Sequence, residues 1–453
     1  MAAGNRALTW WVPSEKALRE VRRRLGPAPF RELFDVVAGP LARPSTPGVC
    51  YRRWRTVAFD GCSSLEAPDT LRVRGCLGKT RRHRGVEGYP HIRLMALCET
   101  GTRGLLGAVF GPTCTGEPAY ARRLLPLLDP GMLLLVDRNF SGDEFLNDVA
   151  DTGAQLLARF TLRRRPAVMA VLPDGSYLTR LLGRTFRITE ADVTAECSDG
   201  SRIGDRYRLV TTLRDHHTDP AERLVGLYRE RWEIELSFLA LNDTLFAGRV
   251  LRSADPVGLE QELWALLTVY QTIRRAMVDA IESRPGTNPD RASFTVALHA
   301  AQEQVITAQG ILSPDDVSGG VTGAVLAGFL PPRRARTSAR LVKYPISQYT
   351  VAGQSRRSQR ITALSVTLHE VGSFGPKDTS RDVGFRELTL RLLRTDPDRA
   401  WRTVEISRAL GITTTPKYRS LCTQINRWAD QFMLVREGRG RYRLAPEWLV
   451  SPR

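Results

Sequence analysis

Cysteine is scarce in this sequence, and its spacing fits no recognisable site. The seven cysteines form no Cys-x-x-Cys pair, and their number is odd. Zinc sites and disulfide frameworks both rest on cysteines at characteristic spacings, so the sequence supports neither. Reduced thiols are typical of cytoplasmic proteins, and we expect this compartment.

Long apolar runs and a signal-peptide layout are also missing. No stretch approaches the roughly 18 uninterrupted apolar residues of a membrane span, and the N-terminus lacks the pattern of a secretory signal. Histidine occurs only six times. The histidines have no ligand spacing, so we assign no metal role to His83, His91, His216 and His217.

Acidic residues are outnumbered, with 48 Asp and Glu against 66 Lys and Arg, and the net charge is +18. A protein this basic attracts polyanions, and DNA and RNA are the obvious candidates. The segment between Val317 and His369 contains no acidic residue at all. We interpret it as a mobile basic connector lying on phosphates.

The order of helix and strand patterns predicts an α/β protein with several domains, for which 453 residues are sufficient. Residues 1–50 are interpreted as an N-terminal helical region for DNA binding or dimerisation. An α/β core is split by a β-rich insertion and is followed by a basic linker and a winged helix-turn-helix. The corresponding ranges are 51–165 and 217–330 for the core, 166–216 for the insertion, 331–382 for the linker and 383–453 for the winged helix.

One helix, predicted from about residue 219 to 246, combines three kinds of side chain. Tyr228, Arg231 and Glu235 stand at positions i, i+3 and i+7, so they share a face that Asn242 continues. An aromatic ring, a cation and a carboxylate on one face could bind DNA and metal side by side. The alternative is a surface salt bridge between Arg231 and Glu235, with Tyr228 packed in the core.

Two further carboxylates follow apolar strands. Asp60 ends the strand RTVAFD and Asp137 ends GMLLLVD, so both side chains could lie at the same edge of the sheet. Phosphodiester cleavage suits two Mg²⁺ ions about 3.5–4 Å apart, which prefer carboxylate ligands from different elements. With Glu235 these residues form a candidate set, although an Asp before Gly is usually a turn residue and a helical Glu is usually solvated.

Taken together, these segments resemble the insertion-sequence-four family of DDE transposases. Tyr228, Arg231 and Glu235 match the start of its Tyr-Arg-Glu-Lys signature. VAFDGCSSLEAPDT is similar to the family's first-Asp segment, and LLLVDRNFSG is similar to its second. The spacing of 77 and then 98 residues between the three carboxylates agrees, with the β-rich insertion inside the second gap.

The resemblance covers roughly residues 10 to 350 and implies an RNase H-like catalytic domain that depends on Mg²⁺, with Mn²⁺ able to substitute. It implies cut-and-paste transposition in a bacterial cytoplasm, at the nucleoid, on double-stranded DNA: terminal inverted repeats and target DNA. A homodimer is expected on the DNA, because two ends must be paired. By the matching motifs, the metal ligands are Asp60, Asp137 and Glu235. Tyr228 and Arg231 would contact DNA phosphates near the cleavage point.

Three features depart from the family pattern. The signature's Lys falls at position 242, where this chain has Asn242, and an amide lacks the charge that attracts a phosphate. The N-terminal helical region is shorter than in relatives, and the tail beyond Asp382 is not a family feature. Two other functions therefore stay open: a decayed or domesticated copy that only binds DNA, and an RNase H-like nuclease with another substrate.

Basic residues outside the carboxylate set are further candidates for DNA contacts. One run follows the first-Asp segment and contains Lys79, Arg81 and Arg82; a solvated loop is the competing interpretation. In the tail, a helix beginning at Thr415 has an apolar stripe, and its polar positions suit a reader of the major groove. These tail candidates are Lys417, Arg419 and Arg427 on the helix and Arg439 and Arg441 at the wing. The alternative is a winged helix for protein contacts.

Overall fold

The structure is a computed structural model. It describes residues 13–79, 81–82, 85–86, 88–162, 164, 166–198, 200, 202–232, 237–238, 240–246, 248–307, 314–331, 336–337, 359–369, 385–412, 415–430, 434–438 and 440–444. Contacts divide the chain into two compact units, residues 1–371 and 372–453.

The first unit alternates helices and strands. Its helices are α1 (Glu15–Leu25), α2 (Ala28–Val37), α3 (Leu71–Leu77), α4 (Glu117–Arg122), α5 (Asp143–Asp151), α6 (Ala221–Tyr228), α7 (Pro256–Glu282), α8 (Phe294–Thr307) and α9 (Pro314–Ala327). Its strands are β1 (Cys50–Tyr51), β2 (Trp54–Glu66), β3 (Arg81–Arg82), β4 (Gly85–Val86), β5 (His91–Glu99), β6 (Leu105–Pro112), β7 (Met132–Val136), β8 (Gln155–Arg159), β9 (Ala170–Val171), β10 (Tyr177–Leu181), β11 (Arg184–Cys197), β12 (Arg202–Thr211), β13 (Arg336–Thr337) and β14 (Gln359–Leu368).

A mixed sheet dominates this unit, and twelve of the described strands belong to it. Its main order is β13-β14-β11-β12-β8-β7-β2-β5-β6, with β1 beside β2, and β10 between β11 and β9. The central strands β2, β7 and β8 are parallel, whereas β5 and β6 run antiparallel beside β2. Helices cover both faces, which is the layered arrangement that alternating α and β segments predict.

The alternation of side chains along the central strands builds two cores. In β2, Val57 and Phe59 pack in the core that also contains residues of α4 and α5. Ala58 faces the other way, into the core shared with α2, α6 and α7. Because successive side chains of a strand point to opposite faces, one apolar strand serves both layers. We call these faces the α5 face and the α6 face.

Local signals explain where several helices begin. The side chains of Ser14, Thr70 and Asp255 accept hydrogen bonds from the first turns of α1, α3 and α7. Pro256 then stands in the first turn of α7, where its missing N–H costs nothing. α7 is 27 residues long, but neither it nor any other described helix is apolar enough to cross a bilayer.

The β-rich segment and part of the predicted linker both belong to the sheet. β12 pairs with β8 through Leu209–Arg159, so the insertion continues the central sheet. The prediction of a connector over 331–382 is wrong for β14, which pairs with β11 over Ala191–Cys197. Val366 and Leu368 of β14 pack against the α6-face core, and this burial outweighs the basic composition that suggested a connector. Most of the remaining predicted linker lies outside the described residues.

The predicted continuous helix over 219–246 is also wrong. α6 ends at Tyr228, a 3₁₀ turn follows at Arg229–Trp232, and a π-helical turn covers Ala240–Leu245. Residues 233–236 lie outside the described part. An apolar spacing of three or four residues is compatible with all of these helix types, so periodicity alone could not distinguish them.

The second unit consists of α10 (Phe385–Arg394), α11 (Thr403–Ala409) and α12 (Thr415–Asp430), with strands β15 (Trp401–Arg402), β16 (Leu434–Gly438) and β17 (Arg441–Leu444). The strands form an antiparallel sheet in the order β15-β17-β16. Leu421, Ile425 and Trp428 of α12 face a core shared with the other helices and the sheet. The three helices and the hairpin were predicted, and β15 was not.

Candidate active site

Asp60 lies within β2, and Asp137 directly follows β7, the parallel neighbour of β2. The pairing of the two strands ends with Ala58 opposite Leu135, two residues before each aspartate. Neighbouring strands are about 4.8 Å apart. At that strand spacing, side chains that follow one register on the same face can share a pair of divalent ions about 3.5–4 Å apart.

Both aspartates belong to the α6 face. Ala58 and Leu135 pack in the α6-face core, and residues two positions further along each strand point the same way. Both side chains are half-buried. Asp60 accepts a hydrogen bond from the Gly61 amide at 2.9 Å, and Asp137 accepts one from the Arg138 amide at 2.5 Å. The prediction that Asp60 ends its strand is wrong, because β2 continues to Glu66 through its pairing with β5. Asp137 does follow directly after the last residue of β7. The two hydrogen bonds orient each carboxylate against its own backbone.

Tyr228 joins the end of α6 to the strand that leads into Asp137. Its hydroxyl donates a hydrogen bond to the Val136 carbonyl at 3.1 Å, and the side chain is only 2% exposed. Burial raises the pKa of Tyr228 above its ordinary value; the charge of Arg231 opposes this shift and that of Asp137 adds to it. The structure thus places the ring in the core, as the alternative interpretation had it. The predicted phosphate contact stays a prediction.

Two arginines lie near Tyr228. Arg231 is 4% exposed, so this cation is buried and does not lie on an open surface. Arg159 stacks on Tyr207 at 4.4 Å from the ring centre, and Tyr207 in turn meets Tyr228 edge to face at 5.8 Å. The surroundings of the aspartate pair therefore carry positive charge on the α6 face.

The third predicted ligand, Glu235, lies outside the described residues, and so does the side chain of Asn242. Among the described residues no group of three His, Cys, Asp or Glu side chains is placed to hold a metal ion. The chain leaves α6 at Tyr228, seven residues before Glu235. The role of Glu235 therefore stays a prediction.

One carboxylate near this edge was not singled out from the sequence. Glu117, at the start of α4, packs so closely on Gly61 that a Cβ there would lie 3.0 Å from the Glu117 Cγ. Its carboxylate also accepts a hydrogen bond from Asn139 at 3.3 Å. Glu117 belongs to the α5 face, opposite the aspartate pair, and nothing in its local sequence marks it.

The basic run after the first-Asp segment begins with a paired residue. The Lys79 ammonium lies 2.5 Å from an Asp69 carboxylate oxygen, and Arg74 also binds that carboxylate. Hydrogen bonds from Arg74 and Lys79 hold the pKa of Asp69 well below its usual range. Arg81 and Arg82 form the short strand β3, and their side chains lie outside the described part.

In the second unit, a groove of about 810 Å³ lies between α12 and the β16–β17 hairpin. Its lining includes Arg402, Arg436 and Arg441, and no Asp or Glu. Asn426 of α12 closes one side, because it accepts a hydrogen bond from Tyr442 at 2.7 Å. Among the predicted tail contacts, Arg419 and Arg441 are exposed. Arg439 and the side chains of Lys417 and Arg427 lie outside the described part.

The chain is similar to known transposases. Residues 63–271 match the family model described as Transposase DDE domain. The chain is 27% identical over 369 residues to Transposase InsG for insertion sequence element IS4 of Escherichia coli strain K12, covering 79% of this chain and 82% of that protein. It is also 27% identical over 137 residues to Putative transposase InsZ of the same organism, covering 29% of this chain and 44% of that protein. A cryo-EM structure of a piggyBac transposase synaptic complex with hairpin DNA aligns at a TM-score of 0.34 and 10% identity, over 62% of this chain and 59% of that one. A TM-score this low does not establish a shared fold.

Proposed function

Since the chain belongs to the insertion-sequence-four family of DDE transposases and acts in DNA transposition, we propose that it cuts and joins transposon ends at the Asp60–Asp137 edge. The observation that supports this proposal is the parallel register of β2 and β7, which pairs Ala58 with Leu135, two residues before each aspartate. The family match covers the second aspartate and the segment that contains Glu235.

The residues present fit a divalent metal. Two carboxylates on adjacent strands are the oxygen ligands that Mg²⁺ and Mn²⁺ prefer, and we propose Glu235 as a third ligand. Bound Mg²⁺ would stabilise the charge of the attacking and leaving oxygens of a phosphodiester. The protein's part is to hold Asp60 and Asp137 at a fixed separation, which the sheet hydrogen bonds achieve.

The cations near Tyr228 support a site for an anionic substrate; Arg231 is buried and Arg159 is half-buried. Arg231 and Arg159 surround Tyr228 on the α6 face, where a DNA phosphate would be attracted. We propose that Arg231 attracts the phosphate near the cleavage point, while Tyr228 contacts it only if its bond to Val136 opens. Asn242 would leave DNA ends less firmly held than the signature's Lys would.

We propose that the catalytic unit is RNase H-like. Its support is the order of the central strands, with the antiparallel β2, β5 and β6 followed by β7 and β8 parallel to β2. Helices on both faces complete this arrangement. The β-rich insertion enters after β8 and returns the chain to α6, ahead of the predicted ligand Glu235.

We propose that the second unit is a winged helix-turn-helix that binds double-stranded DNA. Support comes from its helix and strand order and from the groove lined by Arg402, Arg436 and Arg441, whose charge complements phosphate. Arg419 and Lys417 on α12 would face the DNA. Lys79, Arg81 and Arg82 are proposed as contacts of the first unit, which requires Lys79 to exchange Asp69 for a phosphate.

The wider setting follows from the same premise. Terminal inverted repeats and target DNA are the proposed substrates, and a homodimer is proposed on paired ends. The proposed location is the bacterial cytoplasm, at the nucleoid. A DNA-binding protein that has lost catalysis is the alternative outcome of the experiment that follows.

Cleavage of DNA that carries the flanks of the gene tests the proposal. The purified protein is incubated with this DNA and with Mg²⁺, Mn²⁺ or EDTA, beside the Asp137→Ala variant. We expect nicking at one defined position that needs metal and is lost in Asp137→Ala, with DNA affinity retained. Asp129→Ala is the matched control, because Asp129 precedes the opposite end of β7 and binds only the local Gly131 amide at 2.6 Å.

The possible results separate the functions. Equal loss of cleavage in the Asp129 and Asp137 variants would mean that β7 is merely destabilised. Undiminished cleavage in Asp137→Ala would remove this residue from the site. Binding without cleavage by the unmodified chain would favour the DNA-binding alternative, and cleavage without preference for the repeats would favour a general nuclease.

A further inference from the structure

The first amide of α6 is capped by a side chain from a distant turn. Asp174, between β9 and β10, accepts a hydrogen bond from the Ala221 amide at 3.0 Å. The local sequence favours Asp219 as the cap, because it directly precedes Pro220 at the start of the helix. The Asp219 carboxylate instead accepts hydrogen bonds from the Tyr51 hydroxyl at 2.8 Å and from Arg52 at 3.1 Å. The first N–H group of α6 has no acceptor within the helix, and the β-rich segment supplies one.

Arg187 holds this cap in place from inside the sheet. Its side chain is fully buried in β11 and donates to the Asp174 carboxylate. It also donates to the Ser176 hydroxyl at 2.8 Å and to the Asp219 carbonyl at 2.6 Å. One guanidinium therefore binds both the turn and the residue that precedes α6. A buried cation is stable only with such partners.

The opposite end of α6 is fixed as well. Tyr228 binds the Val136 carbonyl, and between the two ends Leu224 and Val225 are buried in the α6-face core. The eight residues of α6 therefore connect two anchors, one in the β-rich segment and one beside Asp137. Both anchors fix the position of α6 relative to the end of β7.

We propose that Arg187 and Asp174 are positioning residues through which the β-rich segment sets the geometry of the active site. Resting on the proposed function, this gives the segment a task besides any contact with DNA. Displacing α6 moves Tyr228 and strains its hydrogen bond to Val136, the residue before Asp137. Displacements on the order of 1 Å can cost about a hundredfold in rate.

A second buried ion pair in the same strands provides a matched control. Arg208 of β12 binds Glu190 of β11, and both side chains are less than a tenth exposed. Glu190 also accepts a hydrogen bond from Tyr177 at 3.1 Å, and Tyr177 packs in the α5-face core. This pair stabilises the same segment from the face opposite to α6.

The experiment compares Asp174→Asn with Glu190→Gln in the full chain. We expect Asp174→Asn to lower the maximal rate of DNA cleavage by about ten- to a hundredfold, with the half-saturating DNA concentration unchanged. The amides of α6 should exchange hydrogen faster in this variant. Glu190→Gln should lower the melting temperature comparably while leaving the maximal rate and the exchange of α6 amides near those of the unmodified chain.

A milder variant covers the case in which Asp174→Asn does not fold. Ser176→Ala removes one partner of Arg187 and keeps Asp174, so it should shift the same measurements in the same direction by less. Equal losses of maximal rate in the Asp174 and Glu190 variants, or unchanged α6 exchange in Asp174→Asn, would overturn the proposal. If the unmodified chain cleaves no DNA, the proposed function fails, and the exchange comparison still decides whether Asp174 anchors α6.

Discussion

The Tyr228 hydroxyl offers a single-atom test of how the aspartate edge is held. Tyr228→Phe removes the hydrogen bond to the Val136 carbonyl and leaves the ring against Tyr207. The loss is therefore one buried hydrogen bond, worth about 1 kcal/mol, and up to about 3 kcal/mol if the carbonyl finds no other donor. The end of β7, which leads into Asp137, should become less rigid because it loses this hydrogen bond.

Three measurements read the consequences of this change. Urea unfolding of the first unit should show a loss of about 1–3 kcal/mol. DNA affinity should stay within about twofold, because a hydroxyl on a side chain that is 2% exposed does not reach the DNA. The maximal rate of metal-dependent cleavage should fall, since Asp137 is held less firmly. Tyr120→Phe is the matched control: the Tyr120 hydroxyl donates to the Pro112 carbonyl at 3.0 Å from the α5 face.

The opposite pattern would refute this reasoning. If Tyr228 swings out to bind a DNA phosphate, its hydrogen bond to a charged group is worth about 1.5–3 kcal/mol. Tyr228→Phe would then weaken DNA binding by roughly ten- to a hundredfold and leave the free energy of unfolding unchanged. Equal effects of the Tyr228 and Tyr120 variants on cleavage would show that stability alone is measured.

Three further predictions concern charged residues elsewhere in the first unit. Arg55→Ala should lower the free energy of unfolding of the first unit, measured in urea, by about 3–5 kcal/mol, because Glu99 is fully buried and would lose its cation. A loss no larger than that caused by removing an exposed ion pair would contradict this. A hydrogen bond from Arg206 at 2.7 Å helps to lower the pKa of Asp192 to about 2. The stability it provides is therefore complete above about pH 4 and lost as the pH falls toward 2, so Asp192→Asn should flatten the melting temperature over that interval. Asn242→Lys should raise the rate of DNA-end cleavage by restoring a cation for phosphate, and an unchanged rate would mean that position 242 does not limit cleavage.

The aspartate pair was accessible from the sequence because each residue follows a short, fully apolar segment. Such segments form buried central strands. Asp137 directly follows its strand, whereas β2 continues past Asp60 to Glu66, which the apolar pattern did not indicate. The family signature supplied the order of the three acidic segments. The register that places Asp60 beside Asp137 depends on hydrogen bonds between segments 77 residues apart, which no local pattern determines.

Other features depended on contacts between distant segments. β14 was interpreted as a connector because it lies in a basic stretch, yet Val366 and Leu368 have the alternation of a strand with one buried face. The local sequence favours Asp219, directly before Pro220, as the cap of α6, whereas the observed cap Asp174 is 47 residues from Ala221. In both cases a nonlocal partner outweighed a sound local signal.

The aspartate pair and position 242 are held by different parts of the structure, and this separation bears on whether the chain still catalyses. The spacing of Asp60 and Asp137 follows from the backbone pairing of β2 and β7 in the core of the sheet. A substitution at 242 changes the charge offered to DNA and leaves that pairing intact. Loss of catalysis through Asn242 should therefore appear as weakened positioning of DNA ends while the metal affinity of the chain is retained. A lesion in the pairing or in the anchors of α6 should reduce the metal affinity itself. Titration with Mn²⁺ in the absence of DNA distinguishes the two. Equal Mn²⁺ affinity of Asn242→Lys and of the unmodified chain would localise the defect to the positioning of DNA.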